Sequence, residues 1–489
     1  MYPADSIVRE RYVPFRADAG RRLSFEVSEF HELKSPWDQR RIAMIGYMNE
    51  AEARENLASL RQCFIQGKQP KTHERAKILK LAAQKLAERS EALADLIAWE
   101  GGKPLRDARI EVARAISSLA FAADEAVRLH GTEIPMRATE AASGRLAFTY
   151  PEPVGVALAI AAFNHPLNLV VHQVAPAIAV GCPVLVKPAL ETPLSCLTFL
   201  EALYESGLEP EMALPLIAEN AVVEKIVSEV DYLSFIGSAK VGWHLRSRLV
   251  PGARIQLEHG GCAPVVIDRD ADLDVVVPLV VRGGFYHSGQ VCVSVQRIFV
   301  HDDLASEFIS RLVKAVRELK TGDPRLASTD CGPIIRVRDL ERIDTIVLEA
   351  VKNGAKLLTG GERLKHNCFA PTVLSEVGAT ERVMREEVFG PVVAVNRFRE
   401  LEDAITQANA VEWSFQAAVF GRDLDRLLSV TRGLRASAVM INDATTFRVD
   451  WMPFRGDGPS GYGTGGIPYT MRDMCKEKLV VIKTPAFTL

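Results

Sequence analysis

The sequence predicts an α/β protein with two parallel, doubly wound sheets and an arm of strands outside them. Two observations carry this. Short apolar runs alternate with helix-period segments from 154 to 260, and the alternation resumes after Gly260-Gly261. Between 134 and 153 the rhythm is missing, and Leu146, Phe148 and Tyr150 alternate with other residues as in a separate strand or hairpin arm.

In chain order, residues 1–50 hold short alternating stretches such as 23–27, expected as edge strands, and a turn signal at Ser35-Pro36-Trp37-Asp38. Across 72–100, Leu79, Ala83, Leu86, Leu93 and Leu96 recur at helical spacing; Thr72 can cap this stretch and Gly101-Gly102-Lys103-Pro104 stops it. A second helix is expected over about 107–129. The apolar run 154–163 suits a strand buried on both faces. Helices at 167–180, 193–206, 221–229 and 239–249 then alternate with strands at 183–187, 213–218, 232–236 and 254–258. In the second lobe, strands are expected at 265–268, 297–301, 392–398, 417–420 and 438–441, and helices near 303–319, 338–353 and 424–433. A strand at 478–483 ends the chain. Ligands on such sheets sit at the carboxyl ends of the strands.

Composition narrows the class further. A chain of 489 residues suggests about three units. With 48% hydrophobic and 25% charged residues, disorder is excluded. The balance of 59 basic against 62 acidic residues leaves a net charge of −3, with no excess to attract nucleic acid or an anionic membrane. The longest apolar run falls short of the roughly 18 residues a membrane span needs. The first twenty residues contain no apolar core of a secretory leader. The eight cysteines form no Cys-x-x-Cys pair and no His cluster has zinc spacing, so no metal is expected, and the thiols read as reduced and cytoplasmic.

Four segments could carry chemistry. Cys292 follows Gly289, whose backbone freedom could expose a thiolate nucleophile, although most cysteines are small buried hydrophobes. Glu258 closes a strand before Gly260-Gly261; it reads as a solvated strand-end carboxylate or as a general base on water. Asn164 follows the longest apolar strand and serves as a turn residue or an oxyanion donor. Gly237, Ser238 and Gly242 open a helix that could place N–H groups on a phosphate. Their spacing matches neither a Rossmann fingerprint nor a P-loop.

Taken in order, these segments resemble the NAD(P)-dependent aldehyde dehydrogenase superfamily. The likeness runs from about 35 to 483. It includes Gly102-Lys103-Pro104, Phe163-Asn164-x-Pro166, Val186-Lys187-Pro188, Gly237 to Gly242, Leu257-Glu258-x-Gly260-Gly261, Gly289-Gln290-x-Cys292, Gly322-Asp323-Pro324 and the segment from Glu386 to Pro391. The resemblance implies two Rossmann-like lobes and a β arm. Residues 1–129 with 152–260 would bind NAD or NADP, 261–445 would be catalytic, and 130–151 with 446–489 would form the oligomerisation arm of a homodimer or homotetramer. It implies Cys292 as nucleophile, Asn164 as oxyanion donor and Glu258 as base. It also implies Lys187, Gly237, Ser238, Gly242, Glu387 and Phe389 as cofactor contacts, with a plain core aromatic as the other reading of Phe389.

Some positions depart from the family pattern. Leu190 stands where a ribose-binding Glu is frequent, so NADP is expected to be tolerated, with Glu191 able to restore NAD. Ile236 replaces a frequent Thr, Gly458 a frequent Lys and Gly465 a frequent Glu. Asn164-His165-Pro166 is similar to variants acting on small anionic aldehydes, such as phosphonoacetaldehyde or glyceraldehyde 3-phosphate. Arg114 and Arg448 fall where such enzymes are expected to bind the anion; a solvated helix face and a surface pair are the other readings. A coenzyme-A-acylating dehydrogenase and a non-catalytic protein of the same fold are the alternative functions.

Overall fold

A computed structural model describes residues 2–27 and 29–487. The first lobe holds a six-stranded sheet in the order Ala213–Pro215, Val184–Lys187, Ala157–Ile160, Tyr232–Ile236, Arg254–Glu258, Gly461–Tyr462. All neighbours are parallel except the last pair. The strand order reverses direction between Ala157–Ile160 and Tyr232–Ile236, so a crevice opens beyond their carboxyl ends. The second lobe holds seven strands: Lys356–Thr359, Thr372–Ser375, Val392–Phe398, Arg297–His301, Pro264–Ile267, Gln416–Phe420 and Ala438–Ile441. Only Lys356–Thr359 runs antiparallel there.

Glu133–Ile134, Arg145–Pro153 and Cys475–Lys483 form a third sheet, in register from Arg145 opposite Lys483 to Pro153 opposite Cys475. The remainder of 446–474, grouped with this arm on sequence, lies elsewhere. Gly461–Tyr462 extends the first sheet, and Ile467–Asp473 packs on Leu105–Ala126 and Asn168–Val180.

Other differences have local causes. The helical pattern of 72–100 splits at Arg89 into Thr72–Glu88 and Ser90–Gly101. Beyond the break Leu93 joins the main core of the first lobe, and Leu96 packs with Ile42 and Ile45 in a separate cluster. The apolar run 154–163 pairs only over Ala157–Ile160. Beyond Ile160 the chain leaves the sheet and lines the crevice. The helix Leu273–Phe285 and the strand Thr372–Ser375 escaped the periodicity reading. Both are largely apolar, and a short apolar run looks alike in either state.

A buried ion pair sets the entry of the helix Asn168–Val180. Glu111 and Lys103 are fully buried and bonded to each other through Glu111 Oε2. Glu111 Oε1 accepts the backbone N–H groups of Leu167 at 2.9 Å and Asn168 at 3.1 Å, donors that a helix start leaves unpaired. Removing one partner strands the other charge in the core. Glu111→Leu is therefore expected to lower unfolding free energy by about 3–5 kcal/mol in urea denaturation. Adding Lys103→Met should recover part of that loss, since it removes the stranded ammonium.

Candidate active site

The crevice is a cleft of about 1010 Å³ between the two lobes. Asn164, His165, Lys187, Gly237, Ser238 and Glu258 reach it from the first lobe, and Cys292, Glu387 and Phe389 from the second. Arg114 and Arg448 line it as well.

The loop carrying Cys292 is shaped by backbone. His287, Ser288 and Gly289 take φ of 47°, 53° and 71°, in the left-handed region. A Cβ on Gly289 would stand 2.0 Å from the carbonyl oxygen of Gly390. Only glycine permits that crossing, which brings the segment of Glu387 and Phe389 beside the cysteine loop. Cys292 faces the cleft partly exposed, while the other seven cysteines are buried. It nevertheless sits deep: burial, then Glu387, push its thiol up to about 12, Glu258 adding to this. Arg448 and the residue's own N–H pull the other way. The lowered pKa that a resting thiolate needs is absent, so the resting group is a thiol.

Asn164 Nδ2 donates to the carbonyl of Gln290 at 3.0 Å, joining the two lobes within two residues of the sulfur. One amide proton stays available for an oxyanion. Glu258 is buried, and desolvation raises its pKa while Arg448 and the Gln256 amide oppose the rise. Gln256 Nε2 donates to Glu258 Oε1 at 2.7 Å.

The residues at one end of the cleft have the chemistry to hold a dinucleotide. Ser238 precedes the helix Ala239–Arg246, whose first residues line the cleft. Glu387 Oε1 is buried without a partner, and desolvation lifts its carboxyl to about 8, leaving a donor at neutral pH. Burial lowers Lys187 to about 8. Glu191 is held at 2.6 Å by Arg336. Phe389 is no plain core aromatic: it lines the cleft and meets Phe163 edge-on with ring centroids 5.8 Å apart. Gly242 does not line the cleft; a Cβ there would stand 2.1 Å from the His259 ring, so its small size serves packing. Leu190 and Ile236 lie on the cleft wall.

At the other end, Asp450 is a hub that sequence reasoning missed. It pairs with Arg114, takes His172 Nε2 at 2.7 Å and lies 3.5 Å from Asn168 Nδ2. Its carboxyl is held far below the usual range by His172 and Arg114, which outweigh desolvation. Arg448 stacks 3.5 Å from the Phe454 ring centroid, its Nη2 lies 3.4 Å from His172 Nδ1, and its buried Nε has no partner among the described residues. Neither arginine is the surface group the alternative reading allowed. His165 is kept neutral by burial, with Lys103 and Arg114 adding to the effect, so it brings a hydrogen bond and no charge.

A model of the aldehyde dehydrogenase family matches residues 25–480. The chain belongs to the aldehyde dehydrogenase family. As an aldehyde dehydrogenase it is an NAD(P)-dependent oxidoreductase that oxidises aldehydes. It is 35% identical over 459 residues to a 3-sulfolactaldehyde dehydrogenase of Priestia aryabhattai, covering 93% of this chain and 95% of the other. The structure of aldehyde dehydrogenase 21 from Physcomitrella patens, in complex with the reaction product succinate, superposes with TM-score 0.93 at 31% identity, over 98% and 99% of the two chains. Glyceraldehyde-3-phosphate dehydrogenase GapN of Methanocaldococcus jannaschii, complexed with NADP, gives 0.89 at 33% identity, over 94% and 100%.

The raised thiol has a direct consequence. Below its pKa, thiolate rises about tenfold per pH unit. Iodoacetamide should modify Cys292 ahead of the other cysteines in the folded enzyme, with a rate that climbs about tenfold per unit from pH 7 to 9. Peptide mapping after timed labelling checks both statements.

Proposed function

We propose that Cys292, Asn164 and Glu258 divide the oxidation among them, and that the substrate is a small aldehyde with an anionic tail. Their convergence on one cleft from three separate segments is the observation that carries the catalytic reading. Cys292 loses its proton to solvent water in the cleft, and its sulfur attacks the aldehyde carbon, forming a thiohemiacetal. The free Asn164 amide proton and the Cys292 N–H stabilise the oxyanion. When bound, the oxidised nicotinamide ring supplies the acceptor for the hydride that leaves this carbon. A thioester remains on Cys292. Glu258 takes a proton from water, the hydroxide adds to the thioester carbonyl, the C–S bond breaks, and the carboxylic acid departs.

Lys187, Gly237 and Ser238, in a binding unit made of 1–129 and 152–260, would hold the dinucleotide, with Glu387 and Phe389 reaching it from a catalytic unit of 261–445. Leu190 offers no acceptor to the ribose diol, and Glu191 is already engaged by Arg336. Both facts support acceptance of NADP alongside NAD.

The substrate reading rests on Arg448. Arg114 is neutralised by Asp450, whereas Arg448, whose Nη2 lies 3.4 Å from His172 Nδ1, has a buried Nε on the cleft wall without a partner among the described residues. A buried, unpaired guanidinium donor is unfavourable unless a ligand answers it. A sulfonate, phosphonate or carboxylate tail would do so, with His165 supplying a further hydrogen bond. The Priestia relative is named for a sulfonated aldehyde, and the Physcomitrella structure holds a dicarboxylate product.

The outer strand Cys475–Lys483 exposes Leu479, Val481 and Ile482 and has one edge unpaired among the described residues. An apolar open edge supports a homodimer or homotetramer in which another subunit covers it. Cysteines without disulfides support a reducing compartment such as the cytoplasm.

Cys292→Ala should abolish NAD(P)H formation from an aldehyde panel, and the wild-type product should be the free acid whether or not coenzyme A is added. Acyl-coenzyme A as sole product would instead favour a thiol-resolved enzyme. Arg448→Ala should raise KM for sulfonated or carboxylated aldehydes about 10–100-fold, the weight of one or two charged hydrogen bonds, with little change for neutral ones of equal length. Steady-state kinetics on matched pairs measures this.

A further inference from the structure

Gln256 is two residues before Glu258 on the same strand, so both side chains leave one face of the sheet. The amide is 4% exposed. Its Oε1 lies 3.2 Å from the Thr470 hydroxyl, which donates to it, and 3.2 Å from the Tyr232 hydroxyl. The Tyr232 proton is directed to Asp473 at 2.7 Å. The Thr470 bond orients the amide: its oxygen faces Thr470, so its NH₂ faces Glu258. The recess that receives Glu258 exists because position 465 is glycine. A Cβ there would stand 2.1 Å from Glu258 Oε1 and 2.8 Å from Gln256 Nε2. Any side chain at 465 would displace the carboxylate, the amide or both.

We propose that Gln256 is a positioning residue for the general base, its amide seating one carboxylate oxygen of Glu258 in the recess left by Gly465 while the second oxygen takes the proton of the hydrolytic water. This rests on the reading of Glu258 as that base. The bond is made to the charged form and so favours it. Arg448 faces the same carboxylate and acts in the same sense; burial opposes both. Cys292, Tyr232 and Asp473 are the other titratable groups nearby. Losing the amide therefore raises the pKa of the base. The ionised carboxylate is then lost at a higher pH as acidity increases, and the acid limb of deacylation moves upward. Acylation of Cys292 does not use this bond.

The test uses p-nitrophenyl acetate with the full-length enzyme and no added cofactor. The ester acetylates Cys292 in a burst of p-nitrophenol, and hydrolysis of the acetyl-enzyme sets the steady phase. Gln256→Leu is expected to keep the burst amplitude, slow the steady phase about tenfold at pH 7 and move its acid limb up by about one unit. Gly465→Ala, which leaves Gln256 in place, should slow the same phase by evicting Glu258. Unchanged steady rate and pH limb in both variants overturn the proposal, as does an equal loss of burst and steady phase in both. If Gln256→Leu fails to fold, Gly465→Ala decides by the same criteria. Glu258→Gln separates the two readings: a retained burst without a steady phase supports the base assignment, whereas wild-type deacylation in that variant refutes the base itself.

Discussion

Three charged residues on one face of the helix Leu105–Ala126 hold the site together. Asp107, Glu111 and Arg114 are spaced four and three apart, which stacks them along one side of a helix. Asp107 is fully buried and accepts the N–H of His287 at 3.0 Å and Arg282 Nη1 at 2.7 Å, holding the loop that leads to Cys292. Glu111 caps the helix that follows Asn164. Arg114 binds Asp450 beside Arg448. One rigid element thus fixes the loop of Cys292, the turn after Asn164 and the end of the cleft at Arg448. The bond from Asn164 to Gln290 depends on that common support, because its two partners belong to different lobes.

Burial dominates the electrostatics of the cleft. It makes a thiol of Cys292, raises Glu258 and Glu387, and keeps His165 neutral. Against that background a guanidinium with a free buried donor, as at Arg448 Nε, carries far more weight than it would in water. A chain with a net charge of −3 has no general field with which to gather anions. Selection of an anionic aldehyde would therefore fall to Arg448, because Arg114 already answers Asp450.

Much of this was legible in the sequence. Cys292, Glu258 and Asn164 were visible as chemistry-bearing residues beside glycines or at strand ends, and their order made the family recognisable. The alternation of strands and helices was legible because fully buried parallel strands are continuous apolar runs. Other features had no local signal. Asp450 resembles any loop aspartate until it meets Arg114, more than 300 residues earlier. Gly242 resembles a phosphate-turn glycine until the His259 ring is found against it. The break at Arg89 has no glycine or proline to announce it.

By itself the sequence determined the α/β class, the aldehyde dehydrogenase resemblance and the three residues proposed for the chemistry. The class follows from periodicity, which nearest neighbours encode; the three roles follow from the resemblance of the segments, taken in order, to that family. Only the tertiary structure decided that Arg448 keeps a buried Nε without a partner among the described residues while Arg114 pairs with Asp450, that Cys292 rests as a thiol, and that the space at Gly465 belongs to Glu258 and Gln256. Each of these depends on what lies across a cleft or beneath a sheet. Desolvation and pairing are properties of neighbours distant in the chain, and folding alone brings them together.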